Sequence, residues 1–130
     1  MKPLFITLLL IVTSVPAQAE AMNVTFHLDE PLKVSALINS INNLRDTSPA
    51  ADIYAVITGK AIIRFSKQSS LVKKIAQLTQ QKVKVGVCNN AVLANKITSD
   101  DLLPGIIILS EGGITKMIEL QQQGYAYIMI

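Results

Sequence analysis

The run Ile53 to Ile57, I-Y-A-V-I, is nearly continuous in apolar residues and only five residues long. A strand with both faces covered has that composition, and such strands belong to parallel sheets sandwiched between helices. The flanking segments agree. Val24 to Leu28 (V-T-F-H-L) reads as a strand ended by Asp29-Glu30-Pro31. Leu32, Val34, Leu37, Ile38, Ile41 and Leu44 then recur at helical spacing, while Lys33, Ser35, Asn39 and Asn42 face away. Asp29 is the expected N-cap, with Pro31 in the first turn, and Thr47-Ser48-Pro49 ends the helix.

The alternation continues. Ala61 to Phe65 reads as a short helical segment. Ser69-Ser70 opens a helix with Leu71, Val72, Ile75 and Leu78 on one face and Lys73, Lys74, Gln77 and Gln81 on the other. Val83, Val85 and Val87 alternate with Lys84 and Gly86 as a strand, and a short helix follows at Ala91 to Ala94. Thr98 to Asp101 forms a turn of helix that Pro104-Gly105 stops, with Asp100-Asp101 as its cap and dipole partners. Ile106 to Leu109 reads as a buried strand. Ser110-Glu111 is the expected cap of a last helix carrying Ile114, Met117, Ile118 and Leu120, with Gly124 as the residue that closes it. Tyr125 to Ile130 is the final strand. Strands and helices in strict succession predict one α/β domain, its parallel sheet layered by helices on both faces.

The first nineteen residues read as an export signal, outside that domain. Met1-Lys2 is a small positive start, Leu4 to Val15 is apolar, and Ala17 and Ala19 have the small-x-small spacing that signal peptidase accepts. A cut after Ala19 leaves Glu20 to Ile130 as the single domain, periplasmic or secreted. The apolar run is too short for a membrane span, which needs about 20 residues, and no comparable run follows, so no membrane span is expected after cleavage. Removing Lys2 leaves 11 basic residues against 9 acidic ones. These charges are scattered and the aromatic residues are not interleaved with them, which argues against a nucleic-acid surface.

Chemistry concentrates at Lys82 to Asn90, K-V-K-V-G-V-C-N-N. The chain's only cysteine, Cys88, falls where a strand meets a helix, and that edge of an open α/β sheet is where ligands bind. A helix N-terminus stabilises negative charge, and thiolate is the nucleophilic form of cysteine. Lys82 and Lys84 share its strand face. Asn89 and Asn90 are expected to cap the helix, and either is able to orient a ligand beside the thiol. Free cysteine is equally at home as a small buried apolar residue.

His27, the only histidine, sits at the end of the first strand on the same edge. It is a candidate base or ligand contact, with a hydrogen-bonded structural role as the alternative. One Cys and one His leave a zinc site short of its three or four ligands, and no dinucleotide or P-loop motif is present, so neither metal nor cofactor is expected. Gly112-Gly113, at the opening of the last helix, is a weak anion-binding signal.

Several blocks together resemble the DsrE/DsrF-like family of small sulfur-handling proteins. They are F-H-L-D-E-P (Phe26 to Pro31), I-N-S-I-N-N-L (Ile38 to Leu44), V-x-V-C-x-N (Val85 to Asn90), D-L-L-P-G (Asp101 to Gly105) and L-Q-Q-Q-G-Y-A-Y-I (Leu120 to Ile128). The resemblance implies a three-layer α/β/α fold with a five-stranded, mostly parallel sheet, assembled as a homo-oligomer of three or six chains. It also implies that Cys88 carries sulfur as a persulfide, taken from and passed to a protein or a small sulfur compound. Two positions depart from the family pattern. Ala91 stands where a hydroxyl residue often follows the C-x-N. Thr58-Gly59-Lys60-Ala61 replaces a frequent H-G-x-G, keeping only Gly59.

The expected function is therefore that of an exported sulfur carrier, or sulfurtransferase-like protein, with Cys88 as the reacting residue and His27, Gly59 and Asn90 around it. The alternatives are a non-catalytic oligomer of the same fold that binds a small ligand at this edge, and a structural protein whose Cys88 is core. The apolar terminal strand is either central in the sheet or covered by another subunit.

Overall fold

Five parallel strands form the sheet of a computed structural model that describes residues 1–3, 11–15 and 21–130. The cleavage site expected after Ala19, and most of the apolar run before it, lie outside the described residues. The strands are β1 (Asn23–Leu28), β2 (Asp52–Ile57), β3 (Lys84–Cys88), β4 (Ile107–Leu109) and β5 (Ala126–Met129). Their order across the sheet is β4-β3-β2-β1-β5, every neighbour parallel. The helices are α1 (Val34–Thr47), α2 (Val72–Gln80), α3 (Asn89–Ala94) and α4 (Gly113–Gln122). A seven-residue 3-10 segment, Gly59–Phe65, stands where the short helical segment is predicted. Among the described residues no helix is long and apolar enough to cross a membrane.

Side-chain alternation divides the core in two. Phe26, Leu28, Ile53, Ala55, Ile57, Val85 and Val87 point to one face and pack with α1, α2, α3 and the 3-10 segment. Tyr54, Val56 and Leu109 point to the other, which α4 covers with Met117 and Leu120. This is the predicted three-layer arrangement, with one layer built, among the described residues, from a single helix. Ile53 to Ile57 of β2 are buried on both faces, as their composition predicts. Gly86 lets the second face close. A Cβ there would lie 2.9 Å from both terminal methyls of Leu109, so glycine is what allows Leu109 to fold over β3.

The two sheet edges overturn one expectation, the burial of Ile106 to Leu109, and remove one of the two alternatives for the terminal strand. Ile107 and Ile108 are 44% and 36% exposed because β4 is an edge strand, and only Leu109 is buried. β5 is the opposite edge, exposed along its whole length, so it is not central. An apolar run looks the same wherever its strand falls in the sheet order, which hydrophobic pattern alone does not encode.

Helix starts also differ from expectation. Asp29 caps nothing: Pro31–Lys33 forms a 3-10 turn whose N-cap is Glu30, without a side-chain cap bond, and α1 begins at Val34. Ser110-Glu111 does not cap α4, whose N-cap is Gly112. Asn89 and Asn90 lie inside α3, with Cys88 at the N-cap position and no side-chain cap bond. Thr98 and Asp101, by contrast, form a reciprocal capping box. Gly124 closes α4 as expected. Its φ is 92°, the N–H of Tyr125 bonds Leu120 O and the N–H of Gly124 bonds Gln121 O.

Candidate functional site

Cys88 ends β3 at the carboxyl edge of the sheet, on the α4 face, and is partly exposed. It lines a cavity of about 400 Å³ with His27, Thr58, Asn90 and the segment Glu111 to Thr115. The geometry follows from register. His27 pairs with Val56 and Leu28 with Ile57, so the residue after β2, Thr58, emerges beside His27. Cys88 pairs with Leu109, whose strand leads directly into the turn that starts α4.

The N-terminus of α4 roofs the cavity. Gly112 has φ 90° and ψ 160°, a conformation open in practice to glycine alone. Gly113 packs against the sheet so closely that a Cβ there would lie 2.7 Å from Thr58 Cγ2 and 3.5 Å from Cys88 Cβ. The first intrahelical bond comes from Lys116 N–H to Gly112 O. The amides of Gly113, Ile114 and Thr115 therefore have no helical acceptor, and no side chain caps the helix. Donors of this kind, added to the helix dipole, favour an anion in the cavity. Gly112-Gly113 was the only sequence trace of this.

His27 is held from both sides. Nε2 lies 2.8 Å from Thr58 Oγ1 and Nδ1 lies 2.8 Å from Tyr127 Oη. With both nitrogens engaged, none is left to bond Cys88, so His27 is not part of a Cys–His pair in this arrangement. Burial holds the imidazole below its ordinary range, an effect that Asp29's charge partly opposes. The neutral ring then donates to one hydroxyl and accepts from the other. The sign for stability is set by that direction. The unfolded chain takes up the proton first, so the folded state loses stability as pH falls below 6.5, and gains nothing from protonation above it. His27→Gln is expected to flatten the stability profile just below pH 6.5, measured by urea midpoints across that window. An unchanged slope would show that other groups carry it.

Of the other expected residues, Asn90 is exposed and lines the cavity. Gly59 does not. It turns the chain out of β2 with φ 56°, and a Cβ there would approach Asp29 O to 3.3 Å. Lys84 is not near the thiol: its Nζ lies 3.3 Å from Asp52 at the opposite end of the sheet, where Tyr125 Oη also donates to Asp52 at 2.5 Å. Lys82 precedes β3 at that same far end. Thr58 and Tyr127, as the partners of His27, are the site groups that the sequence does not point to. Thr58 and Tyr127 lie 31 and 100 residues from His27, and only the strand order brings them to it.

The DsrE/DsrF-like family model matches residues 8–130. The chain belongs to the DsrE/DsrF-like family. Among solved structures, MTH1491 from Methanobacterium thermoautotrophicum, described as a protein of unknown function, is 28% identical. It superposes with a TM-score of 0.79 over 84% of this chain and 99% of that one. The ychN protein from E. coli is 17% identical, with a TM-score of 0.69 over 85% of this chain and 100% of that one. BT1422 from Bacteroides thetaiotaomicron, a conserved protein of unknown function, is 16% identical, with a TM-score of 0.63 over 83% and 94%. The last two are similar in fold. No curated protein matches the chain. Membership of the DsrE/DsrF-like family supports a sulfur-relay-type fold.

Proposed function

We propose that this protein is an exported sulfur carrier in which Cys88 holds a persulfide. One observation carries the reading: the only thiol of the chain is partly exposed in a cavity roofed by helix amides that have no acceptor of their own. The step is thiol–persulfide exchange. The Cys88 thiolate attacks the outer sulfur of a donor persulfide R–S–SH, the donor's S–S bond breaks, R–S⁻ leaves, and Cys88 becomes S–SH. No external oxidant or reductant enters. The amides of Gly113 to Thr115 stabilise the anionic terminal sulfur, and Thr58 and Tyr127 fix His27 as a neutral polar wall. The imidazole here comes from β1, whereas the H-G-x-G pattern from which this chain departs would place one at Thr58, just after β2.

The test is the intact mass of the mature protein after incubation with a small persulfide donor. A gain of one sulfur atom per chain is the expected result. No gain, with the native thiol inert to iodoacetamide, would retire the carrier reading and leave a binding or structural scaffold.

Export by the N-terminal segment and assembly into a trimer or hexamer are parts of the same proposal. Tyr127, Ile128 and Met129 on β5, 41–47% exposed, and Ile114 on α4 supply apolar surface for a homo-oligomer contact. Sedimentation of the mature chain is expected to give an oligomer. A monomer at all concentrations would remove that part.

A further inference from the structure

A second cavity, of about 540 Å³, lies on the α1/α2/α3 side of the molecule and shares no lining residue with the one at Cys88. Its wall comes from the end of the 3-10 segment, the loop before α2 and the loop after α3. Arg64 and Lys96 both line it. Neither has a carboxylate partner among the described residues, whose ion pairs involve Lys33, Lys84 and Lys116. Arg64 Nε is buried and meets no acceptor among the described residues. A buried N–H of a charged group without an acceptor is costly, so the Arg64 guanidinium at this wall is incompletely satisfied.

The hydroxyls around it are set to donate. Ser69 Oγ accepts from the N–H of Leu71, which leaves its own proton to give, and Ser70 stands beside it on the wall. α2 starts two residues later with no side-chain cap, no acidic residue in its first turn, and Lys73 and Lys74 there instead. That is the reverse of what the helix dipole favours. Asp101 also borders the cavity, with Oδ2 accepting from the N–H and O–H of Thr98. Its single negative charge is outnumbered by the positive charges of Arg64 and Lys96 on the same wall. Ile63 and Ile97 add apolar wall. The volume lies within the range of about 300–1,000 Å³ usual for small-molecule pockets.

We infer that this cavity binds a small organic anion, its carboxylate or phosphate held by Arg64 and Lys96 and its apolar body by Ile63 and Ile97. Arg64's planar fork suits either oxyanion in a bidentate grip. The inference is independent of the sulfur-carrier reading, since it uses none of the residues around Cys88.

The test is a nitrogen-15 NMR titration of the mature protein with phenyl phosphate, benzoate and inorganic phosphate. Phenyl phosphate or benzoate is expected to give saturable shifts at the Arg64 Nε–H and at the backbone N–H groups of Ser69, Ser70 and Lys96. Whichever saturates first identifies the headgroup. Arg64→Gln is expected to weaken binding about tenfold or more, the scale of one lost charged hydrogen bond. Lys96→Gly is expected to weaken it several-fold. Lys96 sits at φ 55°, which glycine adopts without strain, so that variant keeps the fold. Absence of saturable shifts with either organic anion, or affinities unchanged in both variants, would overturn the site. Equal affinity for inorganic phosphate would overturn its assignment to organic anions.

Discussion

Cys88→Ala is expected to abolish sulfur loading completely while leaving the fold intact. The chain has no second thiol, so a mass gain that survives the substitution has no covalent site left in this mechanism. The structural cost is small. Cys88 ends its strand, is partly exposed, and packs at the margin of the core with the start of α4 beside it. Losing one sulfur from such a position removes about one methylene's worth of burial, on the order of 1 kcal/mol or less. Carrier and structural roles therefore separate cleanly. A carrier cysteine gives total loss of loading at near wild-type stability. A core cysteine gives a native thiol inert to iodoacetamide and a larger drop in the urea midpoint. Sulfur gained equally by Cys88→Ala would sink the assignment of the chemistry to this residue.

The fold is legible in the sequence because each strand and helix writes its own period. Ile53 to Ile57 announces a strand covered on both faces, and the pattern from Leu32 to Leu44 announces a helix between parallel neighbours. Cys88 and His27 are legible as edge residues for the same reason, since both stand where a strand pattern stops. What local pattern does not encode is which strands are neighbours. The exposure of Ile107, Ile108 and the β5 residues follows from their strands being the two edges, and nothing within either run specifies that. The same holds for the clasp on His27. Its partners come from β5 and from the residue after β2, and they are set by the register of three strands.

Gly59 and Thr58 illustrate a narrower failure. The glycine attracts notice because it matches the family pattern, yet it serves the turn, while its neighbour lines the cavity. The start of α4 is similar. Ser110 and Glu111 are good capping residues by type, but the chain must first lie flat on the sheet, and only Gly112-Gly113 permits that approach.

Gly113→Val is the substitution that tests this roof. Its Cβ would lie 2.7 Å from Thr58 Cγ2 and 3.3 Å from Val56 Cγ1. Val56 is fully buried in a central strand and has nowhere to go. The Thr58 methyl can swing away only by rotating χ1, which also moves Oγ1 off His27. The remaining relief is for the N-terminus of α4 to rise from the sheet, which carries its free amides away from Cys88. Overpacking of this kind costs about 1–3 kcal/mol, read as a lower urea midpoint with an unchanged slope. Sulfur loading is expected to slow in the same variant, although Cys88 itself is untouched. Gln121→Ala, exposed on the same helix, is the control and is expected to stay within about 0.5 kcal/mol of wild type. If Gly113→Val loses stability as expected but loads sulfur as wild type does, the α4 amides have no part in the chemistry. Cys88 would then owe whatever reactivity it has to its exposure alone.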